Sequence, residues 1–254
     1  MSQPFFSIVT PVFNGERYIE ETIKSIIEQS TNDYEYIVVD NMSTDNTSKI
    51  INKYSTKIDK IISEKDNGMY EALEKGFSHC RGKYFYWLNS DDFLKNPNVL
   101  NKLKDYLIEN SELEWIVGKT NFRYEKYNLN LELIPYQYPQ SIVKYGFAHN
   151  CAWGFIQQES TIFSKKLFYD AGGFKKKYKM AGDYYLWKEF SKKQKLVSVN
   201  FSIGVQRKWS GQLQNDLQFY YSEMNKKKCK FVFFKLFRFI YSYLIFLKLL
   251  KLKK

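Results

Sequence analysis

Cysteine is scarce in this chain of 254 residues: Cys80, Cys151 and Cys229 stand far apart and odd in number. They show neither metal-ligand spacing nor a disulfide framework, and a reducing compartment suits them. The N-terminus lacks a basic leader and Pro11 interrupts its short apolar run, so no signal peptide is expected. No internal repeat or low-complexity linker divides the chain. Acidic residues are missing from Met224 to Lys254, where ten Lys or Arg account for +10 of the net charge of +12. Residues 1–223 therefore carry only +2, which argues against a broad phosphate-tracking face and against a nucleic-acid partner.

What is present is enough for one large α/β domain with a substantial core. Aromatic residues make up 19% of the chain, with 21 Tyr and 21 Phe. Ring stacking is one use for them, and ordinary packing accounts for most. The first half alternates strand-like and helix-like segments, the pattern of a mostly parallel sheet with helices on its faces. Strands are predicted at 5–10, 34–40, 60–64 and 83–88. Helices are predicted at 16–29, where Ile19, Ile23, Ile26 and Ile27 share a face, at 44–54 with Ser43 or Thr44 as cap, and at 69–80. Beyond about residue 110 the pattern is mixed: a strand at 115–119, a polar-aromatic hairpin or loop at 122–138, a strand at 159–163, and helices at 165–171 and 183–192.

In open α/β sheets, ligands bind beyond the carboxyl ends of the strands. Three candidate sites fall there: Thr10-Pro11-Val12-Phe13-Asn14, Asp40-Asn41, and Asn89-Ser90-Asp91-Asp92. Each alone is ordinary turn chemistry; three converging on one sheet edge are more than that. Asp91 and Asp92 repel each other unless a cation or several donors compensate. A hard ion, Mn²⁺ or Mg²⁺, bridging to a diphosphate would do so. One of the two could equally belong to a solvated turn before a helix near Pro97.

These segments are similar to those of a family 2 glycosyltransferase with a GT-A fold. The matching stretches are SIVTPVFNGERYIEETIKSIIEQS, YIVVDNMSTDNT, EKDNGMYEALEKGF, GKYFYWLNSDDFL, QQESTIFSKKLFYDAGGF and MAGDYYLWKEF, in the family's order over most of residues 5–190. The resemblance implies a GT-A domain over 1–222, with a nucleotide-sugar half at 1–110 and an acceptor half at 111–222. It implies a donor site of Thr10, Pro11, Phe13, Asn14 and Glu16 from the first loop. Asp40 would recognise base or ribose with an uncompensated carboxylate, and Asp66 and Gly68 would lie beside the base. Asn89, Asp91 and Asp92 occupy the metal and ribose motif, with Asn89 where many members carry the first Asp. The metal then falls to Asp91 or Asp92. Asp183 matches the catalytic base, although Asp at a helix start is also a common cap. A single in-line displacement at the anomeric carbon would invert configuration.

One departure stands out. In Arg207-Lys208-Trp209-Ser210-Gly211-Gln212, Trp209 replaces the His of many relatives. Trp209 could stack on a sugar, and Arg207 or Lys208 could meet phosphate. His79, in a helix, has no evident part in the metal shell, and His149 could border the acceptor site.

The separate tail of 223–254 consists mostly of the basic run 226–254, KKKCKFVFFKLFRFIYSYLIFLKLLKLKK. Lys235, Arg238 and Lys248 interrupt its apolar stretch, which favours an in-plane helix on anionic headgroups over a spanning one. Docking of that helix on protein is the other structural option. The combined expectation is a metal-dependent, inverting transferase, cytoplasmic and peripheral on the inner face of the cell membrane. It would move a hexose or N-acetylhexosamine from a UDP-sugar to a glycan acceptor, lipid-linked by inference from location. A sugar-phosphate nucleotidyltransferase would need a Gly-rich basic loop after the first strand, and TPVFNGE lacks one. A non-catalytic membrane-surface module is the remaining alternative, and the presence of Asp91, Asp92 and Asp183 weighs against it.

Overall fold

The computed structural model describes residues 3–133, 137–149, 155–212, 216–224 and 240. Its strands are β1 (Phe6–Val12), β2 (Tyr34–Asp40), β3 (Lys60–Ser63), β4 (Tyr84–Trp87), β5 (Phe93–Leu94), β6 (Trp115–Lys119), β7 (Asn121–Tyr124), β8 (Leu129–Glu132), β9 (Thr161–Ser164), β10 (Val197–Ser202) and β11 (Gly204–Lys208). Its helices are α1 (Ile19–Ile27), α2 (Thr47–Lys53), α3 (Met69–Ser78), α4 (Val99–Glu109), α5 (Gln140–Lys144), α6 (Lys165–Asp170), α7 (Gly182–Ser191) and α8 (Leu217–Glu223).

Seven strands form the main sheet in the order β10-β6-β9-β4-β1-β2-β3. β4, β1, β2 and β3 run parallel, as do β6 and β10, while β9 pairs antiparallel with both β4 and β6. The expected mostly parallel α/β sheet is therefore observed. Both faces are covered, which is why β1 reads as a continuous buried run rather than an alternation. The period of two still sorts side chains: Ile8 joins one core with α1 and α4, whereas Val9 joins the other with α3 and α7. Ile19, Ile23 and Ile26 are the buried stripe of α1, each contributing roughly 1.5–3 kcal/mol by burial.

A second sheet has the order β5-β11-β7-β8. Its β7–β8 hairpin pairs antiparallel and turns through Asn128, whose φ of 46° suits Asn. Several boundaries differ from expectation. α2 starts at Thr47 rather than 44, and its N-cap Asn46 makes no side-chain capping bond: the Asn46 amide is engaged with Glu16 and Lys49, while Ser43 is engaged with Asp40. α7 starts at Gly182 with Ala181 in the cap position, so Asp183 is not the N-cap. α6 ends where Gly172 and Gly173 both adopt positive φ. Helix α8 crosses the expected boundary at 222, and Met224 still packs with Met180, Ala181 and Tyr184. The tail expectations fall on 225–239 and 241–254, outside the described residues; among the described residues no helix is long and apolar enough to cross a membrane.

Candidate active site

The carboxyl ends of β1, β2 and β4 open into a cavity of about 750 Å³. Its wall carries Phe13 and Asn14 from the loop after β1, Asn41 after β2, and Asn89 to Asp91 after β4. Asp66 and Gly68 enter before α3, Lys208 and Trp209 at the end of β11, Asp183 from α7 and Tyr220 from α8. The three sheet-edge segments singled out from sequence thus meet in one place, together with Asp183.

The first loop is held by the second. Asn14 has φ 50° and accepts the Thr44 N–H at 2.8 Å, while its own N–H donates to Ser43 Oγ at 2.9 Å. Glu16 does not line the cavity; its carboxylate accepts the backbone and side-chain N–H groups of Asn46 at 2.9 and 2.7 Å. Phe13 is 59% exposed on the cavity rim. Pro11 also lines the wall, whereas Thr10 is buried below it and accepts from Tyr36 Oη at 3.2 Å.

Asp40 is compensated, contrary to the sequence expectation. Its Oδ1 accepts the Ser43 N–H at 3.0 Å and Ser43 Oγ at 2.5 Å, and Oδ2 accepts Ser48 Oγ at 3.0 Å. The residue is buried and off the cavity wall, where it pins the loop that pins Asn14. Asp66 is the opposite case. Its Oδ1 accepts the Gly68 N–H at 2.8 Å, and its own N–H donates to Asn41 Oδ1 at 2.8 Å. Oδ2 is buried with no hydrogen-bond partner among the described residues. Burial pushes this carboxyl's pKa up. An acceptor in that state at a cavity wall suits a ligand N–H or hydroxyl.

Asp91 and Asp92 face different surroundings. Asp91 lines the cavity, and its Oδ2 accepts Trp209 Nε1 at 2.9 Å and Gln212 Nε2 at 2.8 Å. Asp92 is 1% exposed and off the wall, its Oδ1 accepting the Arg207 N–H at 3.0 Å. Burial, then the neighbouring Asp91 charge, raises the Asp92 pKa well above the ordinary carboxyl range. Glu159 lies in the same region, fully buried with both carboxyl oxygens unpartnered among the described residues. Burial raises its pKa to about 7. Among the described residues, no three His, Cys, Asp or Glu side chains gather into a cage for a metal ion. One wall carboxylate still fits Mn²⁺ or Mg²⁺, since such ions commonly bind through one or two carboxylates plus substrate phosphates.

Arg207 does not face the cavity. It is 2% exposed and pairs with Glu21 Oε2 at 2.5 Å and with Glu125, and its Nε donates to the Asp91 carbonyl at 2.9 Å. A guanidinium so enclosed is committed within the fold, and of Arg207 and Lys208 only Lys208 lines the cavity. Sequence reasoning missed Arg17, which lines the cavity and lies 5.3 Å over the Trp209 ring.

Asp183 is largely buried, and desolvation raises its pKa to about 7. Its Oδ1 accepts Tyr220 Oη at 3.0 Å and the Tyr184 N–H at 2.7 Å, with Tyr70 Oη at 3.5 Å. Gly182 before it lies against the Tyr70 ring, where a Cβ would come within 2.7 Å. His79 is remote, its Nδ1 3.0 Å from Lys60 Nζ on the exposed surface.

An uncharacterized glycosyltransferase of Rickettsia prowazekii is 32% identical over 202 residues, covering 74% of this chain and 58% of that relative. A PGL/p-HBAD biosynthesis glycosyltransferase of Mycobacterium tuberculosis is 29% identical over 132 residues, covering 49% of this chain and 52% of its own. The chain thus spans a little over half the length of these relatives. Among solved structures, S. aureus TarS 1-349 in complex with UDP-GlcNAc superposes with a TM-score of 0.67 at 18% identity, covering 86% of this chain and 64% of that one. The mannosyltransferase PcManGT from Pyrobaculum calidifontis, in complex with GDP-Man and Mn²⁺, superposes with a TM-score of 0.62 at 17% identity, covering 90% and 66%. At these identities the likeness is one of fold, the GT-A architecture. Residues 7–168 match the sequence profile of glycosyl transferase family 2, more than half of the chain, and the protein belongs to that family.

Proposed function

We propose that this chain transfers a hexose or N-acetylhexosamine from a UDP-sugar to a glycan acceptor, with Mn²⁺ or Mg²⁺ and with inversion. The observation that carries the reading is that Asp91 and Asp183 line one cavity. A carboxylate able to share a metal with a diphosphate and a base with a pKa of about 7 thus border the same space. Asp66 would receive the base N–H on Oδ2, and Pro11, Phe13, Asn14 and Gly68 would border the nucleotide. The metal, held by Asp91 and the diphosphate, would neutralise charge on the leaving group. Lys208 and Arg17 would add positive charge at the same wall. Asp183 takes the proton of the acceptor hydroxyl. The hydroxyl oxygen bonds to the anomeric carbon, and the sugar–phosphate bond breaks with its electron pair on the diphosphate. Trp209 would border the sugar. The basic residues 226–254 favour an anionic membrane surface on its cytoplasmic side and hence a lipid-linked acceptor.

The test is nucleoside diphosphate release from a panel of UDP-, GDP- and dTDP-sugars with Mn²⁺ or Mg²⁺, for wild type, Asp91→Asn and Asp183→Asn. Metal-dependent release of UDP, lost in both variants, is expected. Folded protein that neither binds nor turns over any donor would overturn the reading.

A further inference from the structure

Beyond Asp183, its supporting groups form a connected set. Tyr220 Oη lies 3.0 Å from Asp183 Oδ1 and 2.5 Å from His149 Nδ1, and that same nitrogen is 3.6 Å from Asp183 Oδ2. Both supporting side chains are buried, Tyr220 at 7% and His149 at 1% exposure. The His149 ring stacks on Tyr220 with centroids 6.2 Å apart and a 26° interplanar angle. His149 adopts φ 63°, a left-handed backbone conformation that non-glycine residues seldom take. The helix that brings Tyr220 is fastened to the start of α7 by a second contact. The Glu223 carboxylate accepts the backbone N–H groups of Lys179, Met180 and Ala181, each at 2.8 Å.

We propose that Tyr220 and His149 are positioning residues of the base: His149 orients the phenol of Tyr220, and that phenol orients the carboxylate of Asp183, so that α8 completes the catalytic end of the cavity. This inference rests on Asp183 being the base. One phenol proton cannot be donated to two acceptors, so the set has a defined polarity. With Asp183 ionised, the proton of His149 Nδ1 points to the phenol oxygen and the phenol proton to Oδ1. When Asp183 takes the acceptor proton, Tyr220 and His149 keep theirs and only reorient. The titratable groups packed on Asp183 are Tyr70 from α3, Tyr220 from α8 and His149, with Glu223 beyond the 179–181 backbone.

The experiment compares Tyr220→Phe, His149→Gln, the double variant and Asp183→Asn in the full chain. UDP release from the UDP-sugars at saturating Mn²⁺ is followed from pH 5 to 9. Ring-nitrogen NMR follows the two histidines, with His79→Gln assigning them. Tyr220→Phe should lower kcat roughly 10- to 100-fold with the UDP-sugar KM unchanged. It should also move the acid limb to higher pH, because a hydrogen bond that favours the ionised carboxylate is lost. The double variant should match Tyr220→Phe alone, since His149 acts through the phenol. The His149 Nδ1 resonance should shift in Tyr220→Phe and in Asp183→Asn, with or without turnover. An unmoved acid limb with additive losses, or an unmoved Nδ1 resonance, would overturn the proposal. Full activity in Asp183→Asn would instead remove the base assignment, a separate outcome.

Discussion

The indole N–H of Trp209 donates to Asp91 Oδ2 at 2.9 Å, and Gln212 Nε2 donates to the same oxygen at 2.8 Å. A hydrogen-bond donor at the end of β11 thus supports the wall carboxylate. Outer partners of this kind typically change metal affinity or activity 10- to 100-fold when removed. Trp209→Phe keeps the ring and loses the donor. We expect the Mn²⁺ concentration for half-maximal UDP release to rise about 10-fold. An unchanged metal requirement would mean that the bond is incidental.

The buried acids make stability fall as pH rises. The pKa of Glu159 and that of Asp183 lie at about 7 in the folded chain, and Asp92 is raised well above its ordinary value. Between roughly pH 4.5 and 7 the folded chain keeps protons that the unfolded chain has released. Stability is therefore greatest at the acid end of that window and is lost through it, by on the order of 1.4 kcal/mol for each pKa unit of a fully buried group. Urea unfolding should give a higher midpoint at pH 5.5 than at pH 8. Glu159→Gln, which keeps the volume and removes the charge, should flatten this difference. A slope of the opposite sign would refute the account.

Arg207 offers a structural prediction in place of the phosphate contact expected from sequence. Its guanidinium joins Glu21, Glu125 and the Asp91 carbonyl, 4.3 Å over the Tyr18 ring. Removing one member of a buried pair costs about 3–5 kcal/mol, and the low end applies here because Glu21 and Glu125 are partly exposed to water. Arg207→Met should lower stability by about 3 kcal/mol in chemical unfolding. Equal stability of the variant and the wild type would contradict this assignment.

Much of the fold was legible because apolar strands are punctuated by polar turns. The predicted strand 115–119 matches β6, and residues 34–40 match β2. Side-chain direction was not legible. Asp40 ends β2 and Asp92 directly precedes β5, yet their carboxylates turn inward to Ser43 and to the Arg207 N–H, which no local pattern encodes. Helix α8 was missed because its order comes from tertiary contacts, with Glu223 reaching residues 179–181 and Asp216 capping the Phe219 N–H at 3.0 Å. Tyr220 was hidden with it, 37 residues from the Asp183 it touches.

Asp66 supplies the sharpest test of nucleotide recognition. Its Oδ1 and N–H are committed to Gly68 and Asn41, which leaves Oδ2 as a buried acceptor at the cavity wall. The N3–H of uracil is a matching donor, and a buried acceptor left unmet costs about 1–3 kcal/mol. Asp66→Asn can present an amide N–H at the same place, opposing donor against donor. UDP affinity by calorimetry should then fall about 10-fold, whereas binding of Mn²⁺-pyrophosphate, which carries no base, should be unchanged. Equal loss for both ligands would show that Asp66 only shapes the loop, and base recognition would have to be sought elsewhere on the wall, at Asn41 or Phe13.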